Sequence, residues 1–158
     1  QYSFGEYISK HGCSIAAIVE ALEIYGINKS PYEINKYCRS HYKFNGSKVA
    51  IHGAYKTVKA ISKKKPVYHD VKQNNKTNIR KIIKESLKAG KKVVIEQKNP
   101  IHTYVALGFA LNGKIVIATS GKLEEVTLKW IMKTINVGDG SKADYFKGSK
   151  ADAGIFII

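Results

Sequence analysis

The sequence predicts an α+β fold, in which helices from the first part of the chain form a layer on an antiparallel sheet. Before residue 90, apolar residues recur at three- and four-residue spacing, as they do in helices with one buried face. After residue 90, short β-branched runs alternate with turn signals, and Asn112-Gly113 between two of them favours a hairpin. We find no internal repeat and no linker, so residues 1–158 are predicted to form one domain.

Four of the five predicted helices have assigned inward positions, and most have a start or stop signal. The helices are predicted over residues 13–25, 31–39, 47–62, from the caps at 75–78 to residue 90, and over 128–135. Gly26 ends the first helix, and Ser30, Pro31 and Glu33 together begin the second. The inward positions are Ile15, Ile18, Val19 and Leu22, then Val49, Gly53, Val58 and Ile61, then Ile79, Ile82, Ile83 and Leu87, and finally Trp130 and Ile131.

The predicted strands are short runs that are rich in valine and isoleucine. They cover residues 67–71, 93–95, 104–107, 115–117 and 154–158. The last of them is almost entirely apolar, which predicts a buried strand. Residues 138–150 are rich in Gly, Ser, Lys and Asp and are predicted to form an exposed loop.

The chain is strongly basic, with 27 Lys and Arg against 12 Asp and Glu and a net charge of +15. This charge favours a nonspecific attraction to anionic polymers, such as nucleic acid or an anionic bacterial cell wall. The lysines are scattered and are not interleaved with aromatic residues as in a base-stacking surface. No stretch approaches the ~18 apolar residues of a membrane span. No signal sequence is visible, and Gln1 at the first position suggests a mature or trimmed product.

The chain has two cysteines, Cys13 and Cys38, which are too few for a disulfide framework and have no spacing suited to zinc. Cys38 lies in the second predicted helix and fits a small position in the core. A bridge between the two cysteines is the alternative. We predict no metal and no cofactor.

Cys13 is the most informative residue, because it follows a glycine at the start of the first helix. The first N–H groups of a helix are unpaired, and the helix dipole places about half a positive charge there. Both effects stabilise a thiolate, which is the nucleophilic form. A buried free cysteine at the start of a core helix is also common. A catalytic role for Cys13 therefore requires a second side chain that can activate its thiol.

Among the five histidines, His102 is the candidate partner, because it opens a predicted strand directly after the turn-like Lys98-Asn99-Pro100. The alternative is a strand-end histidine that bonds to a loop carbonyl. His11 is expected to lie in a loop and to point away from Cys13. The other three, His41, His52 and His69, are expected at the surface or half-buried, and none is expected where a strand would hold it rigidly.

The order of these features resembles the peptidase C39-like family of papain-like cysteine peptidases. The matching segments are Tyr2-Ser3-Phe4-Gly5, Gly12-Cys13, Pro31-Tyr32-Glu33-Ile34, the run from Leu87 to Ile95, the run from His102 to Phe109, and Asn112 to Ile117. The resemblance covers nearly the whole chain. It implies a papain-like fold with an N-terminal helical layer packed on an antiparallel sheet.

The resemblance also implies a site. It makes Cys13 the nucleophile and His102 the base that activates it and then protonates the leaving group. The family's third residue is an Asp or Asn, but its position falls here on Thr119 or Ser120, which are neutral. The family's upstream glutamine helps to bind the oxyanion. Only Gln1 lies upstream of Cys13 here, and it is either the equivalent of that glutamine or simply the first residue of a trimmed chain.

Three functions are therefore considered. The first is a secreted bacterial thiol hydrolase that cleaves peptide or isopeptide bonds. The second is a catalytically impaired relative that binds a peptide or an anionic cell-wall polymer, and the third is a basic nucleic-acid binder. We expect a monomer that acts on a peptide or protein substrate, outside the cell or at the cell wall.

Overall fold

A computed structural model describes residues 13–41, 51–71, 75–98, 102–119, 121–136 and 154–158. It has five helices and a six-stranded antiparallel sheet in these ranges, which confirms the predicted α+β class. The helices are α1 (Cys13–Ile24), α2 (Pro31–His41), α3 (Ile51–Ser62), α4 (Lys76–Lys88) and α5 (Leu128–Thr134). The strands are β1 (Val67–Asp70), β2 (Val93–Gln97), β3 (His102–Phe109), β4 (Ile115–Thr119), β5 (Lys122–Val126) and β6 (Gly154–Ile157).

The sheet order is β1-β6-β2-β3-β4-β5. Strands β2 to β5 follow one another as a meander, and β6 returns to lie between β1 and β2. The predicted turn at Asn112-Gly113 joins β3 to β4, where Gly113 has a φ of 81°. The central position of β6 explains its sequence, since all four of its residues are buried.

Helices cover both faces of this sheet. On one face, α1, α2 and α3 form an apolar core with Val94, Val105 and Phe156 of the sheet. On the other face, α4 and α5 pack with the alternate residues of the same strands, such as Val93 and Tyr104. This alternation follows from the two-residue period of a strand. The second helical layer, on the face opposite α1, is an addition to the predicted arrangement.

The helix termini agree closely with the predicted signals. Ser30 Oγ accepts the Glu33 N–H at 3.1 Å, and Asn75 Oδ1 accepts the Asn78 N–H at 2.8 Å. Gly26 has a φ of 80°, and the N–H of Ile27 donates to the Leu22 carbonyl at 2.8 Å. A left-handed glycine therefore ends α1 as expected.

Three predictions about these elements are wrong. Strand β5 was not predicted, because it is an exposed edge strand whose leucine, Leu123, is 70% exposed. Trp130 was placed in the core, but it is 36% exposed, whereas Ile131 is fully buried. His69 was not expected where a strand would hold it rigidly, although residues 67–71 were predicted as a strand. It lies on β1 opposite Ile155, and it is half-buried as predicted.

Other predictions fall partly or wholly outside the described residues. The third helix begins at Ile51 in the described part, so its predicted start at 47–50 is not described. The loop predicted at 138–150 and the residue His11 are also outside those ranges. Among the helices that are described, none is both long and apolar enough to span a membrane.

The buried carboxyl group of Glu96 on β2 links this strand to α3 and to the residues that follow α5. Its Oε2 accepts the N–H of Ile51, the first residue of α3, at 3.2 Å. Its Oε1 accepts the side-chain amide of Asn136 at 2.8 Å, and the Asn136 N–H donates to the Glu96 carbonyl at 2.9 Å. Glu96 lies on β2 directly opposite Thr103 of β3. These bonds tie α3 and the end of α5 to the central strands.

We expect Glu96→Ala to lower the free energy of unfolding by about 2 to 4 kcal/mol, because it removes the carboxylate that accepts from a buried N–H and from a buried side-chain amide. Urea denaturation measures this loss. Glu96→Gln keeps one carbonyl acceptor and should cost less. Glu124→Ala, at an exposed position on β5, should change stability by less than about 0.5 kcal/mol. Equal losses in Glu96→Ala and Glu124→Ala would contradict this role of Glu96.

Candidate active site

Cys13 is the first residue of α1 and is half-buried. Ile15, Ile18 and Leu22 are buried in the core that this helix forms with the sheet, and α1 lies directly against β3. The N-terminus of α1 is therefore held in place by its own apolar face. The thiol lies at the positive end of the helix dipole.

His102 and Thr119 lie at the end of the sheet where β3 begins and β4 ends. The two strands are antiparallel neighbours, so these terminal residues meet. A hydrogen bond joins His102 Nε2 and Thr119 Oγ1. Both side chains are half-buried. This bond leaves Nδ1 as the ring nitrogen available to the sulfur of Cys13.

The pKa of the Cys13 thiol shows how these groups interact. Burial raises this pKa, but the hydrogen bond with His102, the backbone N–H of Thr103, the charge of His102 and the hydroxyl of Ser14 all lower it. The net pKa is below the ordinary value of 9.0. Hydrogen bonds and positive charge that favour the thiolate thus outweigh the cost of removing it from water.

Cys38 provides an internal comparison, because no described histidine acts on its thiol. It is fully buried, and burial raises its pKa to about 11, with a smaller opposing effect from Thr57. Its Sγ lies 3.9 Å from Thr57 Oγ1. Both cysteines are free, so the alternative of a bridge between them is wrong. The prediction that Cys38 is a small core residue is confirmed.

The structure thus brings Cys13, His102 and Thr119 together. Two other predicted positions, Gln1 and Ser120, lie outside the described residues. Within the described ranges, no group of three or more His, Cys, Asp or Glu side chains could hold a metal ion. The reasoning from sequence missed two contributors to the thiolate, the Thr103 N–H and the Ser14 hydroxyl. The only sign of these two groups in the sequence is that Thr103 follows His102 and Ser14 follows Cys13.

A cysteine that opens a core helix, beside a histidine that opens a strand of an antiparallel sheet, defines the papain-like class of α+β folds. Comparison with family models gives the particular family, since the Peptidase_C39 like family model matches residues 1–130. The chain therefore belongs to the Peptidase_C39 like family. No curated protein matches it.

We expect iodoacetamide at neutral pH to alkylate Cys13 far faster than Cys38. A thiol with a pKa of about 11 is thiolate in only about one molecule in ten thousand at neutral pH, and Cys38 is also buried. His102→Ala should slow labelling of Cys13 about tenfold, because the largest effect that lowers its pKa is removed. Mass spectrometry of the alkylated peptides measures both rates.

His41→Ala is the matched control for this labelling, because His41 is an exposed histidine at the end of α2. It should leave the rate at Cys13 unchanged. Equal labelling of the two cysteines in the folded protein would show that the thiolate at Cys13 is not stabilised.

Proposed function

We propose that this protein is a cysteine peptidase that hydrolyses peptide bonds through an acyl-enzyme. The observation that carries the proposal is the lowered pKa of Cys13 beside a histidine that Thr119 orients. Membership of the Peptidase_C39 like family supports the same class of function. The thiolate and the imidazolium are the two groups that this reaction needs.

In the first half of the reaction, the Cys13 thiolate attacks the carbonyl carbon and a C–S bond forms. His102 Nδ1–H donates its proton to the amide nitrogen, and the C–N bond breaks. In the second half, His102 takes a proton from water, which attacks the thioester. The C–S bond then breaks and the thiolate returns. The Cys13 N–H, which has no acceptor within the helix, is suited to bind the oxyanion.

Thr119 acts as a positioning residue in this proposal. Its hydroxyl can accept a hydrogen bond from a protonated Nε2 or donate one to a neutral Nε2, so it holds the ring in either state. It carries no charge, and it stabilises the imidazolium less than a carboxylate would. Thr119 therefore orients the His102 ring but does little to stabilise its positive charge.

The neutral Thr119 also supports a second candidate, in which the same site binds a peptide or an anionic cell-wall polymer without turnover. The net charge of +15 is consistent with such a polymer. For both candidates we propose a monomer that acts outside the cell or at the cell wall. Cys13-dependent cleavage of any peptide would eliminate the binding-only candidate.

We expect a library of internally quenched peptides to be cleaved by the native chain and not by Cys13→Ala. Thr119→Val should lower kcat/KM by up to about a hundredfold, because the His102 ring loses the bond that orients it. Thr119→Asn restores a polar partner and should recover most of the activity. The fluorescence increase on cleavage gives these rates.

Thr134→Val is the matched control, since Thr134 also bonds through its hydroxyl but lies on α5. It should retain native kcat/KM. Turnover that persists in Cys13→Ala would exclude the proposed nucleophile, and full activity in Thr119→Val would exclude the positioning role.

A further inference from the structure

A cavity of about 390 Å³ lies along α1 on the side that faces β3 and β4. Leu107 and Ala118 form its apolar wall, and Glu20 and Glu23 of α1 line another side. Ala118 directly precedes Thr119, and Leu107 is on the same strand as His102. The cavity therefore shares strands β3 and β4 with the candidate active site.

Glu20 is placed to connect this cavity to the site. It follows Cys13 by seven residues, so two helical turns separate them on one face of α1, a rise of about 10 Å. The side chain is half-buried. Burial and the neighbouring Glu23 raise the pKa of its carboxyl group, while the charge of His102 lowers it. Glu20 and His102 therefore lie within electrostatic reach of each other.

The carboxylate of Glu20 has no hydrogen bond and no ion pair to any other described residue. Lys122 also lines the cavity, but it is exposed and makes no ion pair with either glutamate in the described part of the chain. A half-buried carboxylate without a partner is costly, and a cation beside it would recover that cost.

We propose that Glu20 is a specificity-determining residue and that this cavity takes the side chain of a substrate lysine or arginine next to the scissile bond. The inference rests on the proposed peptidase function and adds its substrate class. The methylene groups of such a side chain pack on Leu107 and Ala118, and its charged end reaches Glu20. The span of about two helical turns matches an extended residue and its long side chain.

A preference for lysine or arginine is the opposite of what the net charge of the chain predicts. A chain with a net charge of +15 repels cationic peptides in general. Glu20 and Glu23, which line the cavity, attract a cationic side chain at this one position. An anionic or apolar side chain at the same position would leave Glu20 unpaired, and would not be selected.

The test uses three quenched peptides that are identical except for one residue next to the scissile bond, which is lysine, norleucine or glutamate. We expect the native chain to cleave the lysine peptide about tenfold better than the norleucine peptide in kcat/KM, and the glutamate peptide least. In Glu20→Gln the ratio of lysine to norleucine should fall to about one. Glu124→Gln changes the net charge equally at an exposed position and should keep the native ratio.

A second measurement separates this inference from the proposed function. The rate at which chloroacetyl-lysine amide alkylates Cys13 is compared with that of chloroacetyl-norleucine amide, in the native chain and in Glu20→Gln. A lysine preference that requires Glu20 supports the cavity assignment even if no peptide is cleaved, in which case the peptidase proposal alone fails. Cleavage or alkylation without any lysine preference, or a preference that survives Glu20→Gln, overturns the inference.

Discussion

The packing of α1 across β3 is the constraint on which the candidate site depends. The sulfur of Cys13 is at the first residue of the helix and the imidazole of His102 is at the first residue of the strand. Their approach is fixed because Ile15 and Ile18 are buried in the core to which Val105 contributes. Apolar burial, of roughly 25 cal/mol per Å², thus provides the rigidity that the polar site requires.

The electrostatics of the site combine a local pair of charges with neutral support. His102 and the Thr103 N–H favour the thiolate of Cys13 from the sheet side. Behind the imidazole, Thr119 supplies a hydroxyl and not a carboxylate. Glu20 of α1 is a carboxyl group whose pKa the charge of His102 lowers. The thiolate and the imidazole are therefore stabilised mainly by the hydrogen bonds that orient them and by the dipole at the start of α1, and less by a buried carboxylate.

Much of the fold could be predicted from the sequence, because caps and apolar spacing are local signals. Glycine after α1 and the Asn112-Gly113 turn appear where expected. Strand β5 and the exposure of Trp130 could not be predicted, since both depend on how much of an element its neighbours cover. The pair of Cys13 and His102 was proposed from order along the chain. The contribution of the Thr103 N–H emerges only when α1 and β3 are packed together, whereas that of the Ser14 hydroxyl comes from α1 itself.

The central claim is that His102 stabilises a thiolate at Cys13, and ultraviolet absorbance of the thiolate during a pH titration tests it most directly. The native chain should show a transition below pH 9.0 that disappears in Cys13→Ser, whereas Cys38 titrates only near 11. In His102→Ala the Cys13 transition should move to higher pH. A native transition at or above pH 9.0, or one that His102→Ala leaves in place, would contradict the account.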